Sequence, residues 1–338
     1  MKILAIETSC DDTAMAEVEI KGKINPRFKV LSSLISSQTE IHKEWGGVYP
    51  SLAKREHQKN LPLVLENLKS KIQNSIDDIA VTVGPGLDPC LWTGIEFAKN
   101  LAEMQGLPII PVNHIEAHIL ANFLEKKPKL PAIALIVSGG HTQLVLAKKI
   151  GKYELLGQTR DDAAGECFDK TARILGLGYP GGPAIAAAAA RHVQNSRFKI
   201  SLPRPMLNSK DFDFSFSGLK TAVLYDYKKR EKKQTESQEY KSAMAKEIQQ
   251  AVIDVLLKKT ASAARRYEVK SIIAGGGVTA NEELQKQFKK NFKNMFFPPK
   301  GLSTDNAVMI AVAAYYNKKK ATKQYGKIKA LPNLEIKC

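Results

Sequence analysis

A chain of 338 residues exceeds one ordinary domain of about 100 to 200 residues, so two domains are expected, each able to bury a core. Apolar residues make up 43% and charged residues 25%, with only 22 glycines and 16 prolines, which excludes a disordered, collagen-like or low-complexity chain. Lysine and arginine (51) outnumber the acids (34) by 17, a surplus that concentrates polyanions and makes a nucleic acid a natural partner.

Lys2 to Ser9 (KILAIETS) is a short apolar run ending in small polar residues. After the acidic turn Cys10-Asp11-Asp12, alternating runs follow at Ala14 to Ile20 and Lys29 to Leu34, and their period of two predicts a three-stranded meander. Further on, the strand Ile79 to Val83 enters Gly84-Pro85-Gly86 and then a helix from about Thr93 to Met104. The same order returns with the strand Ala132 to Val137, the turn Ser138-Gly139-Gly140-His141-Thr142, and strands at Gln143 to Ala147 and Tyr153 to Leu156. It is completed by Ser271 to Ala274, Gly275-Gly276-Gly277 and a helix from about Asn281 to Phe292. This repetition predicts an internal duplication. The second copy is longer by about 60 residues, which hold the irregular segments Asp161 to Lys170, Gly176 to Pro183 and Asp211 to Lys220. Insertions of this kind on a regular scaffold often carry function. Two such halves facing each other predict a ligand cleft between them. The charged segment Tyr227 to Tyr240 reads as a solvated loop or frayed helix start, and Met244, Ile248, Ala251 and Val255 beyond it form one apolar helix stripe.

The sharpest chemical signal is His114-Ile115-Glu116-Ala117-His118. On a helix beginning near Asn113, histidines four apart share a face and can hold one divalent cation. The spacing resembles a metalloprotease signature, but there Glu directly follows the first His, whereas Glu116 lies two positions on, about 200° around the helix. A third ligand could come from His141, Asp305 or the early acids. Turns at Gly139-Gly140 and Gly275-Gly276-Gly277 expose backbone N–H groups suited to a phosphate, although tight turns alone also call for glycine, and no P-loop pattern occurs. Asp161, Asp162 and Glu166 fit helix capping, while Asp169 suits the acceptance of ribose hydroxyl hydrogens. Cys10, Cys90, Cys167 and Cys338 are too widely spaced for a zinc knuckle or disulfide framework and fit a reducing compartment. The chain opens on a strand-like run without a signal segment, and no apolar stretch reaches the roughly 18 residues of a spanning helix, so a cytoplasmic protein with no membrane attachment is expected. Lysine runs at Lys228 to Lys233, at Lys286, Lys289, Lys290 and Lys293, and at Lys318 to Lys329 strengthen the case for RNA or DNA.

Ten segments taken together resemble the TsaD family of tRNA adenosine threonylcarbamoyltransferases, once labelled O-sialoglycoprotein endopeptidases. They are IETSCDDT (Ile6 to Thr13), GGVYPSLAKREH (Gly46 to His57), GPGL (Gly84 to Leu87), NHIEAH (Asn113 to His118) and SGGHTQL (Ser138 to Leu144). The remainder are DDAAGECFDK (Asp161 to Lys170), YPGGP (Tyr179 to Pro183), DFSFSGLK (Asp213 to Lys220), GGGVTAN (Gly275 to Asn281) and TDNAVMIA (Thr304 to Ala311). The resemblance implies an α/β, duplicated actin-like ATPase fold, shared with sugar kinases and heat-shock chaperones. Its lobes are expected at 1–128 plus about 306–338 and at 129–305, the latter with an insert at about 157–225. It also implies one divalent metal ion, Fe2+ or Zn2+, held by His114, His118 and Asp305. A nucleotide substrate would be lined by Ile136, Val137, Ser138, Gly139, Gly140, Asp169, Gly182 and Asn281.

The implied reaction moves a threonylcarbamoyl group from threonylcarbamoyl-AMP to the N6 amine of the adenosine beside the anticodon, in tRNAs reading codons that start with A, and releases AMP. Asp11 or Asp12 is our candidate for the proton acceptor. The implied partners are tRNA, an inactive TsaB-like paralogue and a small TsaE-like ATPase, with a homodimer as the mitochondrial arrangement. The stretch HKEWGGVYPSLAKREH is similar to the bacterial and organellar type, which points to the bacterial cytoplasm. The rivals are a zinc metallopeptidase, opposed by the displaced Glu116, and a non-catalytic nucleotide-binding scaffold of a tRNA-modifying assembly, opposed by the intact ligand residues. A sugar-kinase-like phosphotransferase lacks a recognisable sugar site.

Overall fold

A computed structural model describes residues 1–22, 24–69 and 76–336. The chain divides into two compact units, Met1–Pro128 with Lys149–Tyr153 and Pro298–Cys338, and Lys129–Lys148 with Glu154–Phe297. Re-entry into the first unit at Pro298 puts Asp305 in the same unit as His114 and His118.

The first unit begins with β1 (Lys2–Glu7), β2 (Asp12–Lys21), β3 (Arg27–Ser37), α1 (Thr39–Lys43) and α2 (Pro50–Lys69). It continues through β4 (Asp78–Gly84), α3 (Asp88–Gln105), β5 (Ile109–Asn113) and α4 (His114–Leu120). Its sheet has the order β3-β2-β1-β4-β5, with β1 to β3 antiparallel and β4 and β5 parallel to β1. The central strand β1 is covered on both faces, which explains its unbroken apolar run from Ile3 to Ile6. Glu7, at its end, is the exception and is completely buried. Leu4, Ile6, Leu61, Val81, Leu91 and Ile95 form the centre of this unit's core.

The second unit is built on β6 (Ala132–Val137), β7 (Thr142–Lys149), β8 (Lys152–Gln158), α5 (Ala164–Ile174), α6 (Gly181–Ala190) and α7 (Ser217–Lys229), except that the hairpin tip Lys149–Tyr153 between β7 and β8 is counted with the first unit. After these come α8 (Lys232–Thr235), α9 (Gln238–Arg266), β9 (Ser271–Gly275), α10 (Glu282–Asn291) and β10 (Met295–Phe296). Its sheet order, β10-β9-β6-β7-β8, is the first sheet's order read from the other edge, so the duplication expected from the sequence is present in the strand pairing. Leu135, Phe168, Phe214, Phe216, Met244 and Phe288 lie in its core. Helix α11 (Ala307–Tyr316) then returns to the first unit and packs on β1, β2 and α4.

Two local expectations differ from the fold. Segment Tyr227 to Tyr240, read as a loop or frayed start, is largely helical, because α7 continues to Lys229 and Ser237 caps α9 by accepting the Tyr240 N–H at 3.2 Å. The charges conceal an anchor: Tyr240 is buried and its hydroxyl donates to Asp226 at 2.9 Å, while Asp226 also pairs with Arg230 at 2.7 Å. Helix α3 starts at Asp88, ahead of Thr93, with Pro89 in its first turn where a fixed φ favours helix entry. Met244, Ile248, Ala251 and Val255 are all buried, as their spacing predicts. Among the described residues no helix is long and apolar enough to cross a membrane. Cys10, Cys90 and Cys167 are free thiols, and Cys338 lies outside the described residues.

Candidate metal centre and glycine turn

Strand β5 runs into α4 without a loop. Asn113 ends the strand and caps the helix, its side chain accepting the Glu116 N–H at 3.0 Å. His114 is therefore the first helical residue and His118 lies one turn on, their rings edge to face with centroids 4.6 Å apart. Asp305 directly precedes Asn306, which caps α11 by accepting the Met309 N–H at 3.0 Å. Asp305 Oδ1 stands 3.1 Å from His118 Nε2 and 3.5 Å from His114 Nε2, and one ligand atom from each of the three side chains lies within 4.8 Å of the others. Two donors about 2.1 Å from a tetrahedral ion are about 3.4 Å apart, so this spacing suits one cation. Of the three candidates for a third ligand, the structure brings Asp305 to the histidines, while His141 sits in the glycine turn of the second unit.

The surroundings of His114 test that fit. Glu7 Oε2 lies 3.1 Å from His114 Nδ1, and Ser9 Oγ is at the same distance from that nitrogen. Glu7 is itself held by the Thr82 hydroxyl at 2.7 Å and the Ser9 N–H at 2.5 Å. A ring nitrogen beside a carboxylate carries the proton, which turns the Nε2 lone pair toward Asp305. Lone pairs facing each other across 3.5 Å repel unless a positive charge lies between them. Burial works to lower the His114 pKa, but the carboxylates of Asp305 and Glu7 outweigh it and push it to about 9, so a proton supplies the charge the site demands. Burial alone would raise the Glu7 carboxyl, yet the adjoining His114 ring holds it below its ordinary value. Burial lowers the His118 pKa despite the hydrogen bond to Asp305, keeping this ring in the neutral form that ligates metals. His118 Nδ1 is buried without a hydrogen-bond partner among the described residues, so the polar contact of this ring is on the Asp305 side. Two imidazoles and a carboxylate fit a borderline divalent cation.

The acidic turn lies in the same unit. Burial raises Asp11, assisted by Asp305. Burial also raises Asp12, with further contributions from Asp11 and Asp305 against the Ser37 hydrogen bond, to about 7. Asp12 Oδ1 is buried without a hydrogen-bond partner among the described residues. The turn is latched to α2 by His57, whose pKa is lowered by burial: its Nε2–H donates to the Cys10 carbonyl at 3.0 Å, and the Thr13 hydroxyl donates to Nδ1 at 2.8 Å. Burial pushes the thiols of Cys90 and Cys167 to about 12 and that of Cys10 well above its ordinary value, so none is an activated nucleophile. Glu116 Oε2 accepts from Asn317 Nδ2 at 2.8 Å and is thereby engaged on α11, in keeping with its displaced position in the motif. Glu7 and Ser9 were not singled out from the sequence. A lone acid in an otherwise apolar strand was the available signal, because a buried charge needs a partner.

The expected nucleotide-lining residues all lie in the second unit. Ile136 and Val137 are buried in β6, and Ser138 closes the following turn, its N–H donating to the His141 carbonyl at 2.8 Å while its hydroxyl accepts the His141 N–H at 3.1 Å. Gly139 and Gly140 form the exposed tip. Neither has a positive φ, and a methyl group built on either would meet nothing within 4 Å, so neither the backbone nor the neighbours demand glycine. What glycine provides there is unobstructed access to two N–H groups that have no acceptor among the described residues. Gly182 is similarly open. Gly276 is different: its φ is +91° and a side chain would run into the Val137 carbonyl. The neighbouring pieces are tied together by the Gly165 N–H donating to the Ser138 carbonyl at 3.2 Å and the Gly181 N–H donating to Asp169 Oδ1 at 2.6 Å. Asn281 caps α10, accepting the Leu284 N–H at 3.0 Å and donating to Gln249 at 2.8 Å.

Two sheets of one topology, one in each unit, define a duplicated actin-like α/β protein, here with a metal-type His-His-Asp cluster in the first unit. Solved structures of similar fold include full-length HypF in a phosphate- and nucleotide-bound form, with TM-score 0.58 and 13% identity over 94% of this chain and 55% of that one. Another is component A of the (R)-2-hydroxyglutaryl-CoA dehydratase of Acidaminococcus fermentans, with TM-score 0.53 and 14% identity over 97% of this chain and 100% of that one. The family profile of TsaD, described as tRNA N6-adenosine threonylcarbamoyltransferase, matches residues 29–312. Curated relatives of that same name are 46% identical in Thermosipho africanus, over 99% of this chain and 100% of the relative, and 47% identical in Persephonella marina, over 93% and 90%. The chain belongs to the TsaD family.

Proposed function

We propose that this protein is a transferase that moves the threonylcarbamoyl group of threonylcarbamoyl-AMP to the N6 amine of the adenosine beside the anticodon, forming N6-threonylcarbamoyladenosine. The observation that carries the reading is the convergence of His114, His118 and Asp305 in a chain of this family. These three residues would hold Fe2+ or Zn2+, which when bound neutralises anionic oxygens and polarises a carbonyl. Glu7 and Ser9 fix the His114 ring. In the second unit, the N–H groups of Gly139 and Gly140 would receive the adenylate phosphate, and Gly182, equally free of neighbours, would leave room for the nucleotide. The backbone of Ile136, Val137 and Ser138 supports that turn, and Asp169 and Asn281, each oriented by an internal hydrogen bond, would contact the nucleoside.

In the transfer, the amine nitrogen forms a bond to the carbamoyl carbon, the bond from that carbon to the phosphate oxygen breaks, and AMP departs with the electron pair. An aromatic amine is a weak nucleophile, so a carboxylate that takes its proton accelerates the step. Asp12, titrating at about 7, is better suited to this than a fully exposed acid, and Asp11 adds negative charge beside it. The partners proposed are tRNA, a TsaB-like paralogue and a TsaE-like ATPase, with the bacterial cytoplasm as the setting. Engagement of Glu116 by Asn317 supports no role for it as a peptidase base.

The test is incubation with threonylcarbamoyl-AMP and unmodified tRNA, with and without the partner proteins, followed by nucleoside mass spectrometry. The modified adenosine is expected from the wild type and at most in traces from His114→Ala. Undiminished product from that variant would remove the metal from the reaction.

A further inference from the structure

A cavity of about 330 Å³ in the second unit lies outside the residues used above, between the 207–212 loop and the last turns of α9. Lys210, Lys258, Lys259 and Arg266 line it together with one carboxylate, Asp211. That carboxylate is already occupied: Oδ2 accepts from Arg160 at 2.8 Å, and Oδ1 accepts from the Ser209 hydroxyl at 2.8 Å and lies 3.4 Å from Lys259 Nζ. Lys259 is 2% exposed and donates to Ser209 Oγ at 2.6 Å and to the Asp211 carbonyl at 2.8 Å, so it builds the floor. Lys210, Lys258 and Arg266 are exposed and have no carboxylate partner among the described residues. The Arg266 guanidinium lies over the rings of Phe212 at 5.7 Å and Tyr267 at 5.9 Å, which limits its wandering without consuming its charge. The lysine runs noted from the sequence are partly neutralised instead, Lys286 lying 3.8 Å from Glu283, Lys232 3.7 Å from Glu236 and Lys318 3.7 Å from Asp78.

We propose that this cavity seats a backbone phosphate of the RNA substrate, with Lys210, Lys258 and Arg266 as its contacts. The identity of the polyanion rests on the transferase reading; the anion preference rests on the cavity's own charges. Phosphate contacts of this kind position an RNA without reading its sequence.

The experiment measures binding of labelled, unmodified tRNA by fluorescence anisotropy without donor, from about 50 to 200 mM salt. One variant carries Lys210→Gln, Lys258→Gln and Arg266→Gln. A charge-matched comparator carries Lys54→Gln, Lys126→Gln and Lys152→Gln, exposed lysines of the first unit. The cavity variant should bind about tenfold or more weakly with a log–log salt slope shallower by about 1, as expected for one lost phosphate, and the comparator should stay within about twofold of wild type. Wild-type binding by the cavity variant, or an equal loss in the comparator, overturns the proposal. If inorganic phosphate rather than tRNA loses affinity in the cavity variant, the seat belongs to a small anion and the RNA assignment falls. Product formation by the wild type is scored separately, so failure of the cavity and failure of the transferase reading give different results.

Discussion

The turn between the first two strands occurs twice in this molecule, and the two copies carry opposite chemistry. Between β1 and β2 it holds Ser9, Cys10 and Asp11, next to the buried Glu7, and acts through acidic side chains that favour a positive charge. Between β6 and β7 it holds Ser138, Gly139, Gly140 and His141, and offers bare amides that favour a negative one. Topology therefore sets where a turn stands, while the presence or absence of side chains sets which sign of charge it attracts.

The sharpest way to break this contrast is to remove the cation-holding side from the first unit alone. His118→Ala should abolish stoichiometric metal, read by elemental analysis, and lower transfer by about 10³-fold or more, the equivalent of several kcal/mol of lost charge stabilisation. Binding of an AMP analogue to the second unit should survive.

Asp12→Asn should lower turnover by about 10²-fold, within the range of a lost general base. The wild-type rate should climb with pH through about 7 as Asp12 ionises, and the variant should lose that step. The sign for stability is opposite to that of an ion-paired acid. With the folded pKa above the ordinary 3.8, the native state binds the proton more tightly, so stability falls as pH rises from about 4 to about 7. Thermal melts of Asp12→Asn should lack this component.

On the other side of the comparison, Gly139→Val should raise the KM for the adenylate donor by about tenfold while leaving the melting temperature unchanged, because only the approach to the amides is blocked. Gly276→Ala sharpens the distinction between an access glycine and a packing glycine. With φ at +91° and the Val137 carbonyl in the way, it should cost about 1–3 kcal/mol in denaturant unfolding with metal content intact.

Much of this arrangement was legible in the sequence for local reasons. Alternation and glycine punctuation reveal the meanders, and the four-residue step from His114 to His118 reveals a shared helical face. Asp305 is 187 residues from His118, and no spacing rule reaches that far; its place followed from the resemblance of its motif. Glu7 escaped notice because it terminates an apolar strand, and its partner is a histidine 107 positions away. Segment Tyr227 to Tyr240 reads as a loop or frayed helix start because its charges dominate the local pattern, whereas its helical structure depends on one buried tyrosine. The open character of Gly139 and Gly140 is also beyond sequence reading, since it depends on what does not surround them.

The junction between β5 and α4 places an unusual demand on chain length. Asn113 belongs to both elements, so the sheet sets the rotational phase of the helix. One residue inserted there would swing both imidazoles by about 100° together, preserving their spacing while carrying the pair away from Asp305. At this point the polypeptide works as an indexed coupling, in which miscounting by one is as damaging as losing a ligand.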